Sequence, residues 1–161
     1  MENARLASIL DEAFLDEVKA RDSYRKIIER FGPVRPFINI VEAEQRHMEL
    51  LLPLYEKYGI QLPAEPNADR LAVPATLQQA CQMSVTAELE NVAMYDRLIN
   101  ATDLPDVVAV LRQLQAASRD HHLPAFQRCA DQGSDPQGGR GFGRGKGGGC
   151  GQGRGRGRGF G

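Results

Sequence analysis

The 161-residue chain has no tryptophan and only three cysteines, Cys81, Cys129 and Cys150, none of them in a Cys-x-x-Cys spacing. Neither a disulfide framework nor a thiolate metal site is expected from that usage, and Cys81 and Cys129, although their offsets from Glu88 and His122 would bring them to one level in an antiparallel helix pair, read as small buried hydrophobes. No apolar run approaches the roughly 18 residues of a membrane span, and "MENARLASIL" lacks the basic stretch and apolar run of an export signal. A reducing cytoplasm is the expected setting. Acid is missing altogether from residues 137–161, which are mostly Gly with six Arg or Lys and two Phe. Such a composition has almost nothing to bury, so a disordered Gly/Arg-rich tail is expected over 132–161. What remains, residues 1–131, is long and apolar enough for one domain with a core. Residues 1–136 hold all 21 acids and 14 Lys plus Arg, a net charge of −7, against +6 in the tail.

Four segments with helical spacing, roughly 4–31, 36–58, 75–99 and 105–130, are separated by "GPVRP", "GIQLPAEPNADRLAVP" and "NATDLP". Thr76 is the obvious capping side chain for the third helix, and Thr102 or Asp103 for the fourth. Two tight connections around a long one predict an all-α fold, a four-helix bundle with one crossover.

At about 100° per residue each side chain has a direction relative to the apolar stripe of its helix. Glu17 falls in the stripe of the first helix, whereas Asp11, Glu12, Asp16, Asp22 and Glu29 do not. In "VEAEQRHMELLLPLY" (41–55), Glu44 is central and His47 lies to one side, while Glu42, Arg46 and Glu49 face away. Glu88 centres the third stripe and His122 the fourth, with His121 at the edge and Asp120 outside. Each helix thus turns at least one ionisable group toward a shared interior. Buried unpaired carboxylates cost several kcal/mol each, so three together require positive charge. A pair of divalent metal ions supplies it, and oxygen ligands with imidazoles and no thiolate suit iron, or manganese, better than structural zinc.

An internal echo links "EVKARDSYRKII" (17–28) with "ELENVAMYDRLI" (88–99), matching Glu17 with Glu88 and Tyr24 with Tyr95. The two tyrosines read as core residues whose hydroxyls reach a carboxylate. The halves look like a duplicated helical hairpin, in which His47 corresponds to His122 and Glu44 to Arg119. A bundle that binds two metals commonly uses one Glu from each of two helices and Glu-x-x-His from each of the others. Arg119 removes one ligand from that set and leaves Glu17, Glu44, His47, Glu88 and His122. Water, Asp120 after a local distortion, or an exogenous ligand can fill the gap. Alternatively, Arg119 and Arg21 neutralise the carboxylates without metal.

The stretches "LDEVKARDSY", "FINIVEAEQRHMELLLPLYEKYGI", "AELENVAMYDRLI" and "ASRDHHLPAFQRC" resemble the ferritin-like superfamily of the rubrerythrin-related kind, and more narrowly an uncharacterised bacterial ferritin-like domain family. The resemblance covers nearly all of 4–130. It implies a carboxylate-bridged di-iron centre in a four-helix bundle, with ferrous oxidation, peroxide reduction or oxygen activation as the associated activities. The family's ligand pattern carries over to the five residues named and fails at Arg119, and the rubredoxin-like Cys pairs of full rubrerythrins are missing.

The leading expectation is a ferritin-like protein binding one or two iron ions, with ferroxidase or peroxide- or oxygen-reducing activity and a homodimer as the expected assembly. The alternative is a nucleic-acid-associated protein, in which the Arg-Gly tail contacts RNA and the bundle is a scaffold or oligomerisation module.

Overall fold

The computed structural model describes residues 2–132, with side chains from residue 3. The Gly/Arg-rich tail, with Cys150 and the RNA contact expected of it, lies outside the described residues. Within them the protein is all-helical: α1 (Glu2–Phe31), α2 (Phe37–Tyr58), a 3-10 turn (Ala68–Arg70), α3 (Leu77–Ile99), α4 (Pro105–Ala117), a π-helical turn (Ser118–His122) and α5 (Leu123–Gln132). Every expected helical span is filled to within two residues at each end.

The helix ends follow from local chemistry. Gly59 takes the left-handed φ of 60° that lets the chain leave α2, and its N–H returns to Glu56 and Tyr55 carbonyls. Thr76 starts α3 in a reciprocal capping box with Gln79. The start of α4 departs from expectation. Leu104, not Thr102 or Asp103, is its N-cap, Pro105 supplies the preset φ of the first turn, and Thr102 accepts from the Leu104 N–H at 3.3 Å instead.

The long connection between α2 and α3 leans on α1, where Arg21 Nη2 meets Glu65 at 2.7 Å and Lys26 meets Asp69 at 3.8 Å. Helices α1 and α2 pack as one hairpin and α3 with α4 and α5 as a second, and the hairpins meet through α1 with α3 and α2 with α4.

Apolar side chains gather in two clusters. One holds Leu10, Phe14, Leu51, Tyr95 and Leu111; the other holds Tyr24, Phe37, Ile40, Cys81 and Phe126. Helices α1, α2 and α3 contribute to both, while on the fourth segment α4 contributes to the first and α5 to the second. Between its two contributions each places the buried polar residues: Glu17 on the first, Glu44 and His47 on the second, Glu88 and Asn91 on the third, Ser118 and His122 on the fourth. The polar layer is therefore sealed by hydrocarbon at both ends.

Two expectations are corrected. The fourth helix is interrupted, because at Leu123 the backbone N–H reaches back to the Ser118 carbonyl, a five-residue step that inserts one residue into the turn. Cys81 and Cys129 are not independent small hydrophobes but form a disulfide, with Cα atoms 5.7 Å apart. The antiparallel course of α3 and α5 brings them to one level, a long-range juxtaposition that the absence of Cys-x-x-Cys could not exclude. No helix among the described residues is long and apolar enough to cross a membrane.

Candidate metal centre

Glu17, Glu44, His47, Glu88 and His122 meet in the polar layer, all less than a tenth exposed. Glu44 lies between the histidines: its Oε2 is 2.9 Å from His47 Nδ1 and its Oε1 is 3.2 Å from His122 Nδ1. Glu17 approaches His47 Nδ1 at 3.1 Å, and Glu88 approaches His122 Nδ1 at 3.5 Å. The imidazole rings stack with centroids 5.3 Å apart and planes 19° from parallel. One ligand atom from each of Glu44, His47 and His122 lies within 4.8 Å of the other two, a group able to hold a metal ion.

A second ring of contacts orients the carboxylates. Tyr24 donates to Glu88 Oε1 at 2.8 Å, and Tyr95 donates to Glu17 Oε1. Each tyrosine therefore serves the glutamate of the other hairpin. Burial, reinforced by the neighbouring carboxylates, pushes both phenols well above their usual pKa, so both remain hydrogen-bond donors.

Charge in the layer is balanced by histidine rather than arginine. Burial works against imidazolium, but Glu17 and Glu44 outweigh it and raise His47 to about 9; Glu44 and Glu88 likewise raise His122 to about 10. Burial and the Glu44 charge push Glu17 upward. Glu44 itself is held low: burial opposes its charge, but the adjacent His122 and His47 imidazoles prevail. Among the described residues, no Lys or Arg pairs with Glu17, Glu44 or Glu88.

That corrects the arginine alternative. Arg119 is exposed and bonded to the adjacent, exposed Asp120 at 2.8 and 2.9 Å, so neither side chain reaches the layer. Arg21 is buried, yet it is used by Asp22 at 2.8 Å and Glu65 at 2.7 Å, on the side of α1 that meets the crossover. Asp22, placed outside the apolar stripe by register, is buried by that pairing.

Register also missed Asp16, which is half-buried by the Asn91 amide donating to its Oδ2 at 2.7 Å. Asn91 follows Glu88 by three residues and shares its face, a local signal that was there to be read. The pairing with Asp16, 75 residues away in sequence, carried no such signal.

A family model matches residues 12–137, more than three quarters of the chain. The chain belongs to the DUF2202 family of uncharacterized protein domains. This DUF2202 domain is 29% identical over 128 residues to the uncharacterized protein MJ0754 of Methanocaldococcus jannaschii, a match covering 70% of this chain and 68% of that protein. The crystal structure of hypothetical protein MJ0754 from Methanococcus jannaschii DSM 2661 aligns with a TM-score of 0.72 at 27% identity, over 80% of this chain and 81% of that one. The helical fold of this chain is thus similar to that of a solved structure.

Proposed function

We propose that this DUF2202 domain is a ferritin-like, iron-binding protein whose interior holds one or two ions on Glu17, Glu44, His47, Glu88 and His122. The observation that carries the reading is His122 Nδ1. It is buried and lies 3.2 and 3.5 Å from carboxylate oxygens of Glu44 and Glu88, yet it has no hydrogen-bond partner. A nitrogen aimed between two carboxylates without bonding to either is placed as a metal ligand is placed. The set fits the ion chemically, since carboxylate oxygen and imidazole suit iron or manganese. It also fits electrostatically, since a divalent ion replaces the charge of the two imidazolium protons.

The residues have separable tasks. Glu44, with one oxygen toward each histidine, is the bridging candidate. Glu17 and Glu88 are held at their Oε1 atoms by Tyr95 and Tyr24, which keep phenolic protons on the carboxylates and limit their rotation. The apolar clusters cap the layer at its two ends. Bound iron supplies electron-transfer chemistry toward peroxide or dioxygen.

Metal analysis of the full chain after anaerobic reconstitution with Fe(II) is the test. Between one and two equivalents are expected; less than about 0.2 equivalents of iron or manganese means that the imidazolium–carboxylate network is itself the functional state of the layer.

A further inference from the structure

A cleft of about 180 Å³ opens between α1 and α3 and has Glu44, Glu88 and Tyr24 among its lining residues. It therefore runs from the surface to the polar layer. Its other walls include Ala20, Ile27, Pro74 and Met83, with Met83 half exposed beside the opening. Asn91 also lines it. That side chain is 7% exposed, its nitrogen is committed to Asp16 Oδ2 at 2.7 Å, and its Oδ1 has no partner. A buried acceptor left unmade is costly, and so it marks a place where a donor is missing.

Asp16, Glu44, Glu88 and Glu90 all face the cleft, and exposed Lys19 is its single cationic residue. A small anion is disfavoured there. A strongly hydrated metal ion is ill matched to the hydrocarbon walls. A cavity of about 150 Å³ is enough for a benzene-sized molecule.

We propose that this cleft binds a small primary amine with a hydrocarbon body of about benzene size, its ammonium on Asn91 Oδ1 and the Asp16 carboxylate and its body on the apolar walls. The cleft is then the organic-substrate pocket of the polar layer. As a substrate assignment this rests on the proposed function, but binding of the amine requires no metal.

The test uses the full, metal-free chain, titrated with benzylamine and observed by NMR, with benzyl alcohol and benzoate as isosteric controls. Benzylamine is expected to bind with a dissociation constant of about 1 mM or tighter, with benzyl alcohol at least about tenfold weaker and benzoate undetectable. Asn91→Leu should weaken benzylamine by about tenfold or more through loss of the charge-assisted hydrogen bond. Should that variant fail to fold, Ala87→Phe, at an exposed helical position lining the same cleft, should block binding while leaving the helical circular dichroism intact. Absence of benzylamine binding, equal binding of benzoate, or binding that survives the folded variants overturns the proposal. Metal uptake measured on the same preparation separates the two readings. Amine binding without metal uptake retires the proposed function alone, and metal uptake without amine binding retires the pocket alone.

Discussion

The two hairpins contribute alike to the polar layer in three respects and differ in a fourth. Glu17 answers to Glu88, Tyr24 to Tyr95 and His47 to His122, and the tyrosines cross over so that each hairpin orients the other's glutamate. The first hairpin also inserts Glu44 from a regular helix. The second has Arg119 at the corresponding position, exposed and paired with Asp120, in a helix that widens there into a π turn. The two halves thus match in their outer carboxylates, tyrosines and histidines, and only one of them supplies the central carboxylate.

The largest effect should come from removing the unshared residue. Glu44→Ala is expected to reduce bound iron from at least one equivalent to below about 0.2, read by metal analysis, since it removes the carboxylate that both histidines face. Arg119→Glu is the counterpart in the other half and should leave the stoichiometry unchanged. A second ion gained by that variant would show that position 119 can turn inward and that the halves are more alike than the π turn indicates.

Next in size is the disulfide, which only the second hairpin has. Cys81 and Cys129 close a loop with a sequence separation of 48, worth about 4 kcal/mol in the chain-entropy picture. The Cys81→Ala/Cys129→Ala variant should lose about 2–4 kcal/mol in urea unfolding, and added reductant should no longer change its midpoint.

The crossed tyrosines test the symmetry itself. Tyr24→Phe and Tyr95→Phe should each cost about 1–3 kcal/mol through the unmet carboxylate, and the two costs should agree within about 1 kcal/mol. Clearly unequal costs would mean that the glutamates are not equivalent.

The smallest effect is a pH dependence at the hairpin junction, where Lys57 Nζ on α2 meets Asp106 Oδ2 on α4 at 2.6 Å. Hydrogen-bonding from Lys57 and Tyr58 lowers the Asp106 pKa despite some desolvation, so its contribution is present above the unfolded value near about 3.9 and fades as pH falls through the folded one. The Lys57 pKa is raised by Asp106, so its contribution holds below about 10.4 and fades as pH rises through its folded value. Thermal melts of Asp106→Asn should differ slightly from the parent at pH 7 and coincide with it under strong acid.

Much of this layer was legible beforehand. Glu17, Glu44, His47, Glu88 and His122 were selected by register, and all five are buried together. Asp22 shows the method's limit: its register faces outward, but Arg21 brings it under cover. The π turn escaped notice although Pro124 in "ASRDHHLPAF" has no N–H for the carbonyl four residues back and so marks a break in the regular helix just before it. The Asp16–Asn91 pair escaped because its partners are far apart in the chain, whereas the disulfide joins two cysteines whose common level was legible but equally suited two packed thiols.

By itself, the sequence determined the helices, their caps at Gly59 and Thr76, and the ionisable groups that could not face water. These depend on the constant turn per residue and on short-range hydrogen bonds. Only the tertiary structure decided which groups share a neighbour: Tyr24 with Glu88, Tyr95 with Glu17, both histidines with Glu44, and Arg119 with solvent. Those pairings depend on the level at which antiparallel helices pass and on a local change of pitch. Both follow from packing the two apolar clusters, and neither is written in the spacing of any one segment.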